Sequence, residues 1–207
     1  MDWGAWHESY AQPDSLQSRR LPVVQAHIRA FLDARAEPAR VVSMCAGDGR
    51  DLLGVLEASP GSRISARLVE LDPDLGARAR ERALRAGLDG IDVVTGDAGM
   101  TDAYDGAVPA DLVLACGVLG NVPDEDAERT VRCLPQLCAE GATVVWTRHR
   151  RSPDLTPRIR AWLANAGFRE LAFDSPGPDS FSVGSHRLDG PPLPLERGRR
   201  LFTFNRS

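Results

Sequence analysis

The chain has 207 residues, enough for one α/β domain, and 43% of them are apolar, enough for one core. A formal net charge of −4 argues against a polybasic surface, and therefore against a nucleic-acid partner. All 25 basic residues are arginines, which excludes a Schiff-base lysine, a P-loop lysine and a Tyr-x-x-x-Lys proton relay. No apolar run approaches the ~20 residues of a bilayer span, and residues 1–20 are unlike a signal peptide, so no membrane partner is expected. Cys45, Cys116, Cys133 and Cys138 have neither disulfide nor zinc spacing. They are expected to be reduced thiols in a cytoplasmic protein.

Taken in chain order, residues 1–21 are irregular but carry Trp3, Trp6, His7 and Tyr10, too many aromatics for a disordered tail. This segment is expected to pack as a lid or pocket wall on a single domain spanning 22–207. Pro22 suits the first turn of a helix whose apolar face is Val23, Val24, His27, Ile28, Phe31 and Leu32. VVSMC then reads as a strand stopped by AGDG, and DLLGVLEA as a helix. ARLVEL is a second strand, followed by Pro73 and the helix DLGARARERALRAG, which Gly87 terminates. IDVVTG and DLVLACG are the third and fourth strands. Asp124 is expected to cap a helix through DEDAERTVRCLPQLCAEG, before a fifth strand, ATVVWT. Thr156 and Pro157 open the helix RIRAWLANAG, and RELAF and RLFTF are the last strands. This alternation predicts a Rossmann-like, mostly parallel sheet with helices on both faces.

Ligands of such sheets bind beyond the carboxyl ends of the strands, at the switch point beside the first. There the chain reads Met44-Cys45-Ala46-Gly47-Asp48-Gly49-Arg50-Asp51. Gly47 and Gly49 let a ligand approach the backbone, and the helix N–H groups just beyond favour an anion. The same glycines would serve in a plain turn. Glu70 ends the second strand about 20 residues further on, the separation at which a carboxylate meets ribose hydroxyls. Asp97 ends the third strand, placed to accept from an adenine amino group. Each acid is alternatively a helix cap or a solvated strand end. Together the three features point to an adenosine-containing ligand. A nicotinamide dehydrogenase shares the turn and the ribose acid, but this length leaves little room for its second half.

With VVSMCAGDGRDLL, LVELDPDL, VVTGDA and DLVLACGVLGNVPDED, residues 20–205 resemble the class I S-adenosylmethionine-dependent methyltransferases, small-molecule type. The resemblance implies a seven-stranded sheet with an antiparallel last strand and S-adenosylmethionine as cofactor. By resemblance Cys45, Ala46, Gly47, Asp48 and Gly49 would border its methionine end, and Glu70 its ribose. Leu71, Asp97 and Ala98 would meet the adenine, with Cys116 and Gly117 beneath the ribose and sulfonium. The chain departs from the family pattern where Ser43 or Met44 replaces the usual opening acid and Asp51 a third glycine.

Methyl transfer needs an oriented acceptor first and a base second. The fourth strand is not followed by an Asn-Pro-Pro-Tyr-like segment, and no Pro-Cys pair occurs, so a small-molecule acceptor is expected in place of a nucleic-acid base. His149 is the first candidate base, or else a loop histidine among arginines. Asn121 would orient the acceptor by hydrogen bonding. His7 is a further candidate, with Trp3, Trp6 and Tyr10 as an apolar wall or as anchors of the terminus. Arg148, with Arg150 and Arg151, would hold an acidic acceptor or form a solvated face, and Arg19 and Arg20 would contact the cofactor carboxylate. His27 is expected in the core and His186 on the surface. No metal site is expected. A non-methylating reaction on the same fold, such as a cyclisation, and a non-catalytic ligand-binding module are the alternatives.

Overall fold

The computed structural model describes residues 10, 12, 14–59, 61 and 63–204. The first half comprises α1 (Leu16–Asp33), β1 (Ala39–Met44), α2 (Arg50–Glu57), β2 (Ile64–Glu70), α3 (Pro73–Arg85) and β3 (Ile91–Thr95). The second half comprises β4 (Ala110–Ala115), α4 (Asp124–Cys133), β5 (Cys138–His149), α5 (Thr156–Asn165), β6 (Phe168–Asp174) and β7 (Phe181–Leu188). They form one seven-stranded sheet in the order β3-β2-β1-β4-β5-β7-β6, in which only β7 runs antiparallel to its neighbours. Among the described residues no helix is long and apolar enough to cross a membrane.

Two cores sandwich the sheet, and the two-residue period of the strands divides side chains between them. Val41, Leu112, Leu114 and Val145 pack with α1, α2 and α3 on one face. Val42, Val113, Ala115 and Val144 pack with α4 and α5 on the other. Strands buried on both faces read as continuous apolar runs, which is why the central ones show no polar alternation. Because β1 lies between β2 and β4, the connections leave it in opposite directions, and a crevice opens beyond its carboxyl end.

Several elements differ from expectation. Helix α1 starts at Leu16, so it runs across the 21/22 boundary and holds Pro22 in its interior. Its start is set by Ser15, whose hydroxyl accepts the Ser18 N–H at 3.0 Å. Helix α4 ends at Cys133, with Pro123 and not Asp124 in the capping position, and Cys138–Gly141 belong to β5. The last strand is FSVGSHRL, not RLFTF. Residues 199–202 instead form a strap across the turn after β3, through Leu201 N–H to Gly99 O at 2.7 Å and Thr101 N–H to Arg199 O at 3.0 Å. His186, expected at the surface, is 2% exposed within β7. Its Nδ1 accepts from the Trp146 indole at 3.2 Å, and its Nε2 lies 3.5 Å from Glu170. His27 is buried as expected, but paired with Asp174 at 2.8 Å.

Two outcomes follow from this packing. Burial, more than the partly compensating Glu170, pushes the His186 pKa down to about 4, against about 6.5 in the unfolded chain. As pH falls from 6.5 to 4 the unfolded state takes up a proton that the folded state refuses. Stability on the order of 3 kcal/mol is therefore lost across that window. Urea unfolding at pH 7 and pH 5 will show a steeper acid loss for the wild type than for His186→Gln, and equal slopes would refute it. At Gly49 φ is 74°, and an added Cβ would lie 2.6 Å from Leu53 Cδ1. Gly49→Ala is expected to cost about 1–3 kcal/mol in the same assay.

Candidate active site

The crevice is built on the turn between β1 and α2. Cys45, Gly47 and Gly49 take left-handed φ values of 50°, 59° and 74°, the first being one that side chains rarely adopt. The turn is fastened from β2: Glu70 Oε2 accepts the Gly47 N–H at 2.7 Å, and Oε1 accepts the Asp72 N–H at 2.9 Å. Asp97 is likewise engaged, with the Gly99 N–H at 2.8 Å on one oxygen and Arg200 at 2.9 Å on the other.

These strand ends converge on one narrow cavity of about 60 Å³. Cys45, Ala46, Glu70, Leu71, Asp97 and Ala98 line it along β1, β2 and β3, and Cys116 and Gly117 line it from β4. Gly47 and Gly49, in the same turn, do not line it. Asp48, expected in the site, does not line it; its carboxylate accepts from Arg50 Nε at 2.8 Å. Tyr10, expected beside the acceptor, instead lines this first cavity. Its hydroxyl accepts from Arg20 at 2.7 Å, and its ring stacks 4.1 Å beneath Arg50.

The cavity also gathers groups to which sequence spacing does not point. Asp51 lines it beside Arg20, which was expected at the cofactor carboxylate, and Asp51 Oδ1 is buried without a hydrogen-bond partner among the described residues. Burial raises the Asp51 pKa while Arg20 pulls it down. Leu75 and Phe204 add apolar wall, Phe204 arriving from beyond the strap. Burial pushes the Cys45 and Cys116 thiols well up, so both stay protonated.

A second cavity, of about 70 Å³, adjoins the first and shares Arg20 and Gly117 with it. Asn121, Thr147, Arg148, His149, Arg151 and Ser180 are among its lining residues, so three of the expected acceptor-site residues do meet. The Asn121 amide donates to Gly117 O at 2.6 Å, and Gly117 N–H donates to Thr147 Oγ1 at 2.8 Å. Arg148 donates to Leu119 O and faces Asp124 at 3.5 Å, so its guanidinium ties β5 to the loop after β4. Burial, then Arg148 and Arg151, lower the His149 pKa, leaving a neutral imidazole at pH 7. Trp3, Trp6 and His7 lie outside the described residues.

No family model matches the chain. Over 141 residues, 67% of its length, it is 30% identical to a protein-L-isoaspartate O-methyltransferase of Methanoculleus marisnigri, of which it spans 57%. Among solved structures, the magnesium protoporphyrin IX methyltransferase of Synechocystis PCC 6803, determined with bound S-adenosylmethionine, superposes with a TM-score of 0.68. That match has 15% identity over 89% of this chain and 90% of the other. The 4+2 cyclase SpnF superposes with a TM-score of 0.58 at 15% identity, over 79% and 80% of the two chains. Strand order, the antiparallel β7, the crevice and the sequence match agree: the chain belongs to the class I S-adenosylmethionine-dependent methyltransferase family.

Proposed function

We propose that the protein transfers a methyl group from S-adenosylmethionine to oxygen or nitrogen of a small organic acceptor. One observation carries the reading: the β1–α2 turn, Glu70, Asp97 and the oppositely charged Arg20 and Asp51 all border one cavity. The donor set suits the cofactor part by part. Glu70 keeps lone pairs for ribose hydroxyls beyond its two backbone bonds. Exposed Leu71, with Leu75, Ala98 and Phe204, offers apolar surface to a base. Arg20 and Asp51 complement the carboxylate and ammonium of the methionine end, Asp51 replacing the acid absent at Ser43. At about 60 Å³ the cavity admits such a ligand when Tyr10 or Phe204 withdraws, and both belong to the ends of the described chain and not to the sheet. The four free thiols, two of them buried, suit a reducing, cytoplasmic setting.

When bound, the cofactor supplies an electrophilic methyl and a thioether leaving group. The C–S electron pair stays on sulfur, and the acceptor lone pair forms the new bond to carbon. The protein's own part is positioning, which is worth roughly 7–11 kcal/mol. Gly117, common to both cavities, marks where transfer takes place. Asn121, braced on Gly117 O, orients the acceptor, and neutral His149 takes its proton when the acceptor is a hydroxyl or an ammonium.

Calorimetry with S-adenosylmethionine and S-adenosylhomocysteine is expected to show binding of both. Arg20→Gln or Asp51→Asn should weaken each by roughly 10–100-fold, the worth of one charge-assisted hydrogen bond. Absence of heat with either nucleoside would refute the reading. In turnover assays His149→Ala is expected to lower kcat by about 10²–10⁴-fold, leaving cofactor affinity unchanged. The wild-type rate should fall as pH drops below 6.5 through the lowered His149 pKa, and this limb should vanish in the variant. A product of unchanged mass would instead assign a non-methylating reaction.

A further inference from the structure

The second cavity holds an unusual set of groups. Among the described residues, the buried side-chain polar atoms left without hydrogen-bond partners include Arg148 Nε, His149 Nδ1 and Ser180 Oγ, and all three residues line this cavity. Buried polar groups are satisfied in the great majority of cases, and a cluster of exceptions needs a ligand or water to explain it. Arg151, at the rim, makes no ion pair among the described residues, and no carboxylate lines the cavity among them. Two acids sit outside the lining: Asp124 pairs with Arg148 at 3.5 Å and with Arg158 at 3.9 Å, and Asp154 pairs with Arg150 at 2.9 Å.

Donors predominate among these groups. Arg148 Nε and the Arg151 guanidinium only donate, and the Ser180 hydroxyl can donate. Thr147 is occupied by the Gly117 N–H. Planar guanidinium donors match the geometry of carboxylate and phosphate oxygens. We propose that the methyl acceptor carries an oxyanion, a carboxylate or a phosphate, seated between Arg148, Arg151 and Ser180, which holds its reacting atom toward Gly117. This rests on the reading of the first cavity as the cofactor site, and it specifies the acceptor class for that reaction.

The test uses the full chain with and without saturating S-adenosylhomocysteine, titrated calorimetrically at fixed low ionic strength with benzoate, inorganic phosphate and neutral benzamide. Benzoate or phosphate is expected to bind at least tenfold more tightly than benzamide, and whichever binds more tightly identifies the anion. Arg151→Gln and Ser180→Ala, outside the fold-bearing contacts of Arg148, should each weaken that binding several-fold while S-adenosylhomocysteine affinity stays unchanged. Equal binding of benzamide and the anions, no binding of either anion, or unaltered anion affinity in both variants would overturn the proposal. Nucleoside binding without anion binding defeats only this inference. Anion binding without nucleoside binding defeats the cofactor reading instead.

Discussion

The Glu70 carboxylate is the contact on which the crevice depends. It holds two backbone N–H groups, one on the β1–α2 turn and one at the start of the β2–α3 connection. Each such charge-assisted bond is worth about 1.5–3 kcal/mol where it is shielded from water, and Glu70 is only 8% exposed. A turn with three left-handed residues, one of them a cysteine, would not keep its path by local preference. Anchored to β2, it leaves room beyond the carboxyl ends of β1 and β4, and Glu70 lines the space it creates. Structure and recognition therefore draw on a single side chain.

The central sheet was legible because strands covered on both faces must be largely apolar, as β4, most of β1 and the core of β5 are. β7 was not. Its sequence, FSVGSHRL, breaks the apolar run with glycine, serine and histidine because Trp146 fills the neighbouring volume. A Cβ on Gly184 would lie 2.6 Å from the indole, and His186 serves as the indole's hydrogen-bond acceptor. Conversely, RLFTF looks like a strand because Leu201 and Phe202 are buried, yet they are buried under a strap that closes on Gly99. Pro22 misplaced the start of α1 because its missing N–H is tolerated inside that helix, while the Ser15 cap is a weaker signal in the sequence.

The site divides the same way. Positions at strand ends, namely Ala46, Glu70, Asp97, Cys116 and Gly117, follow from topology alone, since the fold decides where strands finish. Arg20 and Tyr10 reach the cavity from α1 and the segment before it, and no spacing relates them to the glycine turn. Asp51 stands in the sequence as a departure from a glycine pattern. Only its buried position beside Arg20 reveals a carboxylate directed at the cavity. Asp48 shows the opposite case, a polar residue in the right turn whose neighbour Arg50 claims it.

The absence of lysine has a consequence at the second cavity. A guanidinium does not lose its proton in water at any pH a folded protein tolerates, so the positive potential contributed there by Arg20, Arg148 and Arg151 is a permanent fixture. An ammonium in their place would fade in alkaline solution and could be neutralised by acetylation. Of the described groups lining that space, His149 is the one imidazole, and burial with Arg148 and Arg151 lowers its pKa. Alkalinity would thus leave the electrostatic attraction intact, and acidity would add one more cation to a wall already rich in them.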